Sequence, residues 1–332
     1  MQGAGGLTRN RNFWVLMSSL AALFFAGLAL FIMLYKWGPG APRVNLPGAL
    51  GVTEVRPSFK VALTGVQRPF SVATSPDGKR VYVAEGGGER VIRILDRNGQ
   101  ERGTAVPPDT SVFSRRPRSV AVGLDGTVYA VDGMQNKVLK FDRDGQYLGE
   151  LAPPDDTRWS PLGLAVDDGG NLYVAEALDL PEIVRHRVLV FDAEGRFLRA
   201  FGAKGSDPAA LNFPHAVAVD SQGRIYVATM DGVKAFDAQG TFLFVLSGGG
   251  RAAPGLAMGV AIRKDELFVV DTTNHRVLVY DVSGDRPSDP FTFGEYGVDS
   301  GQLRFPQDVW LSADGRIYVA DRANDRVSVW SY

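Results

Sequence analysis

Six segments of the chain read alike, and this repetition constrains the fold more than any other feature. They are "RPFSVATSPDGKRVYVAEGGGERVIRILD", "RPRSVAVGLDGTVYAVDGMQNKVLKFD", "SPLGLAVDDGGNLYVAEA…RHRVLVFD", "FPHAVAVDSQGRIYVATMDGVKAFD", "AMGVAIRKDELFVVDTTNHRVLVYD" and "FPQDVWLSADGRIYVADRANDRVSVW". Their first core residues, Val72, Val120, Leu164, Val217, Val260 and Val309, are spaced by 48, 44, 53, 43 and 49 residues. Periods of this size with several short strands per unit indicate propeller blades rather than solenoid coils. Each unit holds a short apolar strand, a Gly-containing turn, an aromatic and β-branched strand such as "VYVAE", a polar turn, and a third strand such as "RVLVFD". A fourth strand follows a further Gly turn, as in "FLRAFG" and "FLFVLSG". Small residues recur in the first strand at Ala73, Ala121, Ala165, Ala218 and Ala261, where six wedges crowd toward an axis, and Trp310 breaks that rule.

The sixth unit stops at Tyr332 after its third strand, whereas a fourth-strand pattern, "FKVALTG" (Phe59 to Gly65), precedes the first unit. The expectation is an all-β, six-bladed propeller over residues 58–332 whose last blade is completed by the N-terminal strand, leaving no open sheet edge.

The unit resembles the NHL repeat, in a membrane-anchored bacterial form. The resemblance rests on Asp271-x-x-Asn274-His275-Arg276-Val277, on its variants Asp321/Asn324/Arg326/Val327 and Asp132/Gln135/Lys137/Val138, and on a leading proline at 69, 117, 161, 214 and 306. Ala257 replaces that proline in the fifth unit, and Thr229 replaces the acidic residue in the fourth, where the next turn is shortened. His275 shares its repeat position with Glu89, Asn136, His186 and Asp325, so it reads as a polar turn residue. Asp271 and Arg276 are expected to pin that turn by side-chain-to-backbone bonds and an ion pair.

Little in the chain carries chemistry. With no cysteine, disulfides, thiolate nucleophiles and Cys-ligated metals are excluded. There is no His-Glu-x-x-His, nucleophile elbow or P-loop. "SGGGR" (Ser247 to Arg251) precedes no helix pattern, and "DRDG" (Asp142 to Gly145) lacks the later calcium ligand and reads as a hairpin turn. Asp155/Asp156 and Asp167/Asp168 read as loop carboxylates without a partner base. In the zinc amidating lyases that share this fold, histidines after the leading prolines converge on a metal. The matching positions here are Phe70, Arg118, Leu162, His215, Met258 and Gln307, so only His215 is a metal candidate, and a zinc site normally needs three protein ligands. The expectation is no cofactor, with a single divalent metal in the channel of a lyase or hydrolase as the alternative.

Ahead of the repeats, Phe13 to Tyr35 runs 23 residues without a charge, about 34 Å of helix, enough for a hydrocarbon core of about 30 Å. Trp14, Tyr35 and Trp37 suit the two interfaces. The run is long for a signal peptide and leaves into "KWGPGAPR", a poor cleavage site. The expected organisation is a short cytoplasmic tail (1–12), a transmembrane anchor (13–35), a Pro/Gly-rich linker (36–57) and an extracytoplasmic propeller, on the slight excess of Arg9, Arg11 and the amino terminus before the span over Lys36 and Arg43 after it. The net charge of −1 gives no general attraction to nucleic acid.

On the face formed by the loops into the first strands, Arg68, Arg115, Arg116, Arg118 and Arg322 add positive charge. Phe70, Met258 and Trp159 add apolar area, and the third unit inserts "LDLPEIVR" (Leu178 to Arg185). Arginine beside aromatics is the composition of an interface centre. The candidate face is Phe70, Arg116, Arg118, Leu162, His215, Met258, Gln307 and Arg322, and its expected ligand is a protein, peptide or glycan. A cytoplasm-facing assembly scaffold or RNA binder is the third reading; an extracytoplasmic site disfavours nucleic acid.

Overall fold

Each repeat forms a four-stranded antiparallel sheet whose strands neighbour one another in chain order. The computed structural model describes residues 55–154, 158–247, 252–284 and 286–332. The anchor at 13–35 and most of the linker lie outside them; among the described residues no helix is long and apolar enough to cross a membrane. The inner strands of the six blades are Pro69–Thr74, Pro117–Val122, Pro161–Val166, Ala216–Val219, Ala257–Arg263 and Pro306–Leu311. Successive inner strands contact one another around a ring, the sixth meeting the first.

The "VYVAE" strands read as nearly continuous apolar runs because each blade is covered on both sides. Alternate side chains point to opposite faces of a strand, yet Val81, Tyr82, Val83 and Ala84 are all fully buried. Tyr82 and Ala84 join the cluster shared with blade two, while Val81 and Val83 join the cluster shared with blade six. One such hydrophobic cluster fills each of the six interfaces between neighbouring blades.

Ser58–Leu63 supplies the outer strand of the sixth blade. It pairs antiparallel with Arg326–Ser331, from Ser58 opposite Ser331 to Leu63 opposite Val327, with a register shift between Phe59 and Val61. Phe59 packs edge-on against Trp330, with centroids 5.7 Å apart, and buried Leu63 enters the cluster between blades six and one.

The acidic residue ending the second strand organises the loops at one end of each blade. Asp271 Oδ1 accepts from Gly255 N, and its Oδ2 accepts from Asn274 Nδ2 and Arg276 Nε. Asp321 does the same with Arg304 N, Asn324 and Arg326, and Glu85 with Gln67 N and Arg93. In the fourth blade, where Thr229 replaces the acid, the ion pair moves two residues on: buried Lys234 donates to Asp231 and to the Ala210 carbonyl.

His275 is one of three interblade clasps. Its Nδ1 accepts from Phe305 N at 3.0 Å, as His186 Nδ1 accepts from Phe213 N at 3.1 Å and Asp325 Oδ1 from Arg68 N at 2.7 Å. Each donor precedes a leading proline or its neighbour and has a positive φ of 48–57°, a conformation that persists where surrounding contacts enforce it.

Candidate functional site

The residue after the leading proline sits on a β-bulge in five of the six blades. Register slips between Pro69 and Ser71, Pro117 and Ser119, Pro161 and Gly163, Ala257 and Gly259, and Pro306 and Asp308. A bulge leaves one residue unpaired and re-aims its side chain. The bulged residues are thus Phe70, Arg118, Leu162, Met258 and Gln307, and with His215 they line the mouth of a central cavity of about 260 Å³. Small ligand sites usually span about 300–1,000 Å³, so this cavity suits a side chain or two of a larger ligand.

Two glycines seat the first two of these side chains. A Cβ at Gly86 would fall 2.1 Å from the Phe70 ring, and one at Gly133 would fall 2.4 Å from Arg118 Cδ. Arg322, from the sixth blade, lies with its guanidinium 4.9 Å from the Phe70 ring centroid, a cation–π distance. Arg116 is exposed on the rim beside them. Burial, then the charge of Arg116, holds Arg118 below the ordinary arginine range. Burial, then Arg68 and Arg116, does the same to Arg322.

Two expected contributors to this face lie elsewhere. Trp159 is buried against Phe191 at 6.4 Å, because the cluster between blades two and three needs its ring. Arg115 is also buried, donating from Nη2 to the Glu89 carbonyl. In their place the same face exposes Phe113, Met134, Met230, Tyr296, Val298 and Phe305. All lie in loops that lead into inner strands or join second to third strands. The "LDLPEIVR" insertion extends a hairpin, Leu172–Leu180 with Ile183–Phe191, whose tip exposes Ile183 and Val184. Turns on the opposite end expose one large apolar residue, Leu124, among the described residues.

Below the mouth, the residue before the first core position stitches neighbouring inner strands in three blades, forming part of a collar. Asp308 Oδ2 accepts from Ser71 Oγ at 2.7 Å and from Val72 N; Ser71 Oγ accepts from Val120 N; Ser119 Oγ accepts from Leu164 N. At the corresponding Gly163 and Gly259, a Cβ would lie 2.5 Å from the His215 carbonyl and 2.7 Å from Asp308 Cα. Polar side chains bridge where strands stand apart, and glycine permits contact where they do not.

Asp308 faces the cavity from this collar. Burial raises its carboxyl to about 6, against three hydrogen bonds that favour the anion. The folded chain therefore binds this proton more readily than the unfolded chain, where the value is about 3.9. The group weakens folding above pH 6, and that cost disappears as pH falls toward 4. Relative to Asp308→Asn, the native chain should gain at most about 3 kcal/mol between pH 7 and pH 4. Paired denaturant titrations at the two pH values check this; equal stability differences would place the carboxyl in water.

The three histidines occupy separate settings. His186 and His275 form clasps, and His215 has Nδ1 at 2.9 Å from the Phe213 carbonyl and Nε2 against the Ala257 carbonyl. Burial, the largest influence, holds His215 below its usual value. No group of three His, Asp or Glu side chains is arranged to hold a metal among the described residues. Asp142 Oδ1 accepts from Asp144 N and Gln146 N, forming a hairpin turn, and Asp167 closes the equivalent turn. Asp155, Asp156 and most of the "SGGGR" loop fall outside the described residues.

No family model matches the chain. It is 30% identical over 190 residues to NHL repeat-containing protein 3 of Mus musculus, covering 50% of each chain. It is 28% identical over 186 residues to NHL repeat-containing protein 3 of Homo sapiens, again covering 50% of each. The chain thus spans about half the length of the curated relatives it matches. Among solved structures, a chain of a nidogen–laminin complex superposes with a TM-score of 0.53 at 18% identity, covering 68% of this chain and 80% of that one. A chain of Kuenenia stuttgartiensis hydrazine synthase superposes with a TM-score of 0.55 at 16% identity, covering 86% and 99%. These two likenesses concern the fold. With six repeats folded as six blades, and with relatives named for the same repeat, the chain is a six-bladed β-propeller consistent with the NHL-repeat family.

Proposed function

We propose that this propeller is a binding module which captures a protein or peptide ligand at the mouth formed by its bulged residues and surrounding loops. One observation carries the reading: of the large apolar side chains exposed in loops and turns between strands, all but Leu124 lie on the mouth face, which also carries the arginines, whereas Val61, Leu148, Phe197, Leu198 and Leu243 lie on outer strands. An apolar and arginine-rich patch is the composition of an interface centre, and the ring holds its loops on a rigid scaffold. The nidogen–laminin likeness agrees at the level of fold. The uncharged stretch 13–35 is read as a membrane anchor that holds the propeller on the extracytoplasmic side.

The absence of cysteine from the chain permits one experiment to test both face and orientation. A membrane-impermeant, thiol-reactive photo-crosslinker is attached in intact cells to Phe113→Cys on the mouth or Leu124→Cys on the opposite end. The reading expects both sites to label from outside and crosslinked partners to arise from position 113. Labelling that requires broken cells would overturn the orientation. Equal products from position 124 would overturn the face.

A further inference from the structure

We propose that the mouth recognises an acidic side chain of a peptide segment, gripped between Arg118 and Arg322 beside the Phe70 ring. This rests on the binding reading above and names the chemistry of its ligand.

Three observations support it. Arg68, Arg116, Arg118 and Arg322 converge on the mouth from blades one, two and six, and none forms an ion pair among the described residues, although most arginines that end second-strand turns elsewhere in the ring do. Arg118 and Arg322 are partly desolvated and feel each other's neighbours as like charges. Arg322 Nε is buried without a hydrogen-bond partner among the described residues. A buried donor without an acceptor costs about 1–3 kcal/mol, more when charged, and a carboxylate at this point would satisfy it. The seats that Gly86 and Gly133 provide fix Phe70 and the Arg118 stem beforehand, so little side-chain freedom is lost on binding.

The surroundings favour a peptide over another polyanion. Phe113, Tyr296 and Phe305 are exposed on the same face, the last two packed on His275, and offer apolar area to side chains that accompany the acid. The cavity of about 260 Å³ accepts one or two side chains. The net charge of −1 gives no general attraction to a phosphate backbone.

The full chain, held in non-ionic detergent, is used to select from a phage library of random dodecapeptides. Selected peptides should be enriched in Asp or Glu next to a large apolar residue. A fluorescent peptide of the selected sequence should bind about tenfold tighter than its amide isostere, with Gln or Asn in place of the acid. That preference should vanish in Arg118→Gln/Arg322→Gln. It should also weaken in Gly133→Ala, which keeps every charge but displaces the Arg118 stem, and persist in Arg97→Gln on the opposite end. Selected peptides without acidic enrichment, or equal binding of the isostere, would overturn the acid while leaving peptide capture standing. Failure to select any peptide would overturn both. Displacement of the peptide by an oligonucleotide or by anionic vesicles at matched charge would assign the arginines to another polyanion and overturn the peptide.

Discussion

A chain shortened to begin at Val66 is expected to lose cooperative unfolding and to aggregate, while a chain beginning at Val55 unfolds in one transition. The deletion removes Ser58–Leu63, and with it the backbone pairing from Ser58 opposite Ser331 to Leu63 opposite Val327. It leaves Arg326–Ser331 as an open edge, which is a template for pairing with other chains. It also removes Leu63 from the cluster between blades six and one and Phe59 from its edge-on contact with Trp330. Truncating a buried Leu to Ala alone costs about 2–5 kcal/mol; losing the whole strand approaches the 5–15 kcal/mol that holds a typical domain folded. Leu63→Ala in the intact chain is the graded version and should lower stability by about 3 kcal/mol. Size-exclusion chromatography and denaturant unfolding followed by tryptophan fluorescence read both effects. An unchanged midpoint in the shortened chain would mean that the ring does not depend on this closure.

Asp271→Ala is expected to be the most damaging single substitution of a polar residue in the fifth blade. Asp271 is fully buried and joins Gly255 N, Thr273, Asn274 and Arg276. Its removal strips Arg276 Nε of its carboxylate and leaves Gly255 N and Asn274 Nδ2 unpaired. Breaking one partner of a buried ion pair costs about 3–5 kcal/mol, and in a domain of this size that lowers the midpoint by roughly 10 °C. Asp77 caps an exposed turn through Ser75 and Lys79 N, and the same substitution there should cost about 1 kcal/mol or less. Calorimetry of the two variants separates the cases; equal shifts would show that the pin in the fifth blade is no more than a turn cap.

The ring was legible in the sequence because its signals are local and repeated. Strand periodicity, Gly turns and the misplaced "FKVALTG" strand each lie within about ten residues, and their recurrence removes ambiguity that a single copy would leave. The six mouth residues were legible by the same route, since each follows a leading proline or its replacement. The collar leaves no such local mark. Its bonds join residues such as Ser71 and Asp308, 237 positions apart, and no periodicity reports a contact across the ring closure. A trace of it does exist: the position before each first core residue holds Ser71, Ser119, Gly163, Ala216, Gly259 and Asp308, and an acid among small residues is a signal. His275 reads from the sequence as a turn residue, which it is, but its hydrogen bond to the next blade depends on a left-handed backbone at Phe305 that composition does not reveal. Trp159 misled because an aromatic beside a loop reads as exposed until the neighbouring blade is in place. Where the fourth blade departs from the repeat, Lys234 and Asp231 restore the lost pair from new positions, a compensation visible only in three dimensions.

The proposed binding surface of this propeller is the mouth face with its arginines. It is tested most directly by repeating the crosslinking from Phe113→Cys in a chain that also carries Arg116→Glu and Arg118→Glu. Crosslinked product should fall on the order of tenfold, while the melting temperature stays within about 2 °C because, among the described residues, neither side chain is ion-paired or part of a hydrophobic cluster. Undiminished product from a chain with an unchanged melting temperature would contradict the claim.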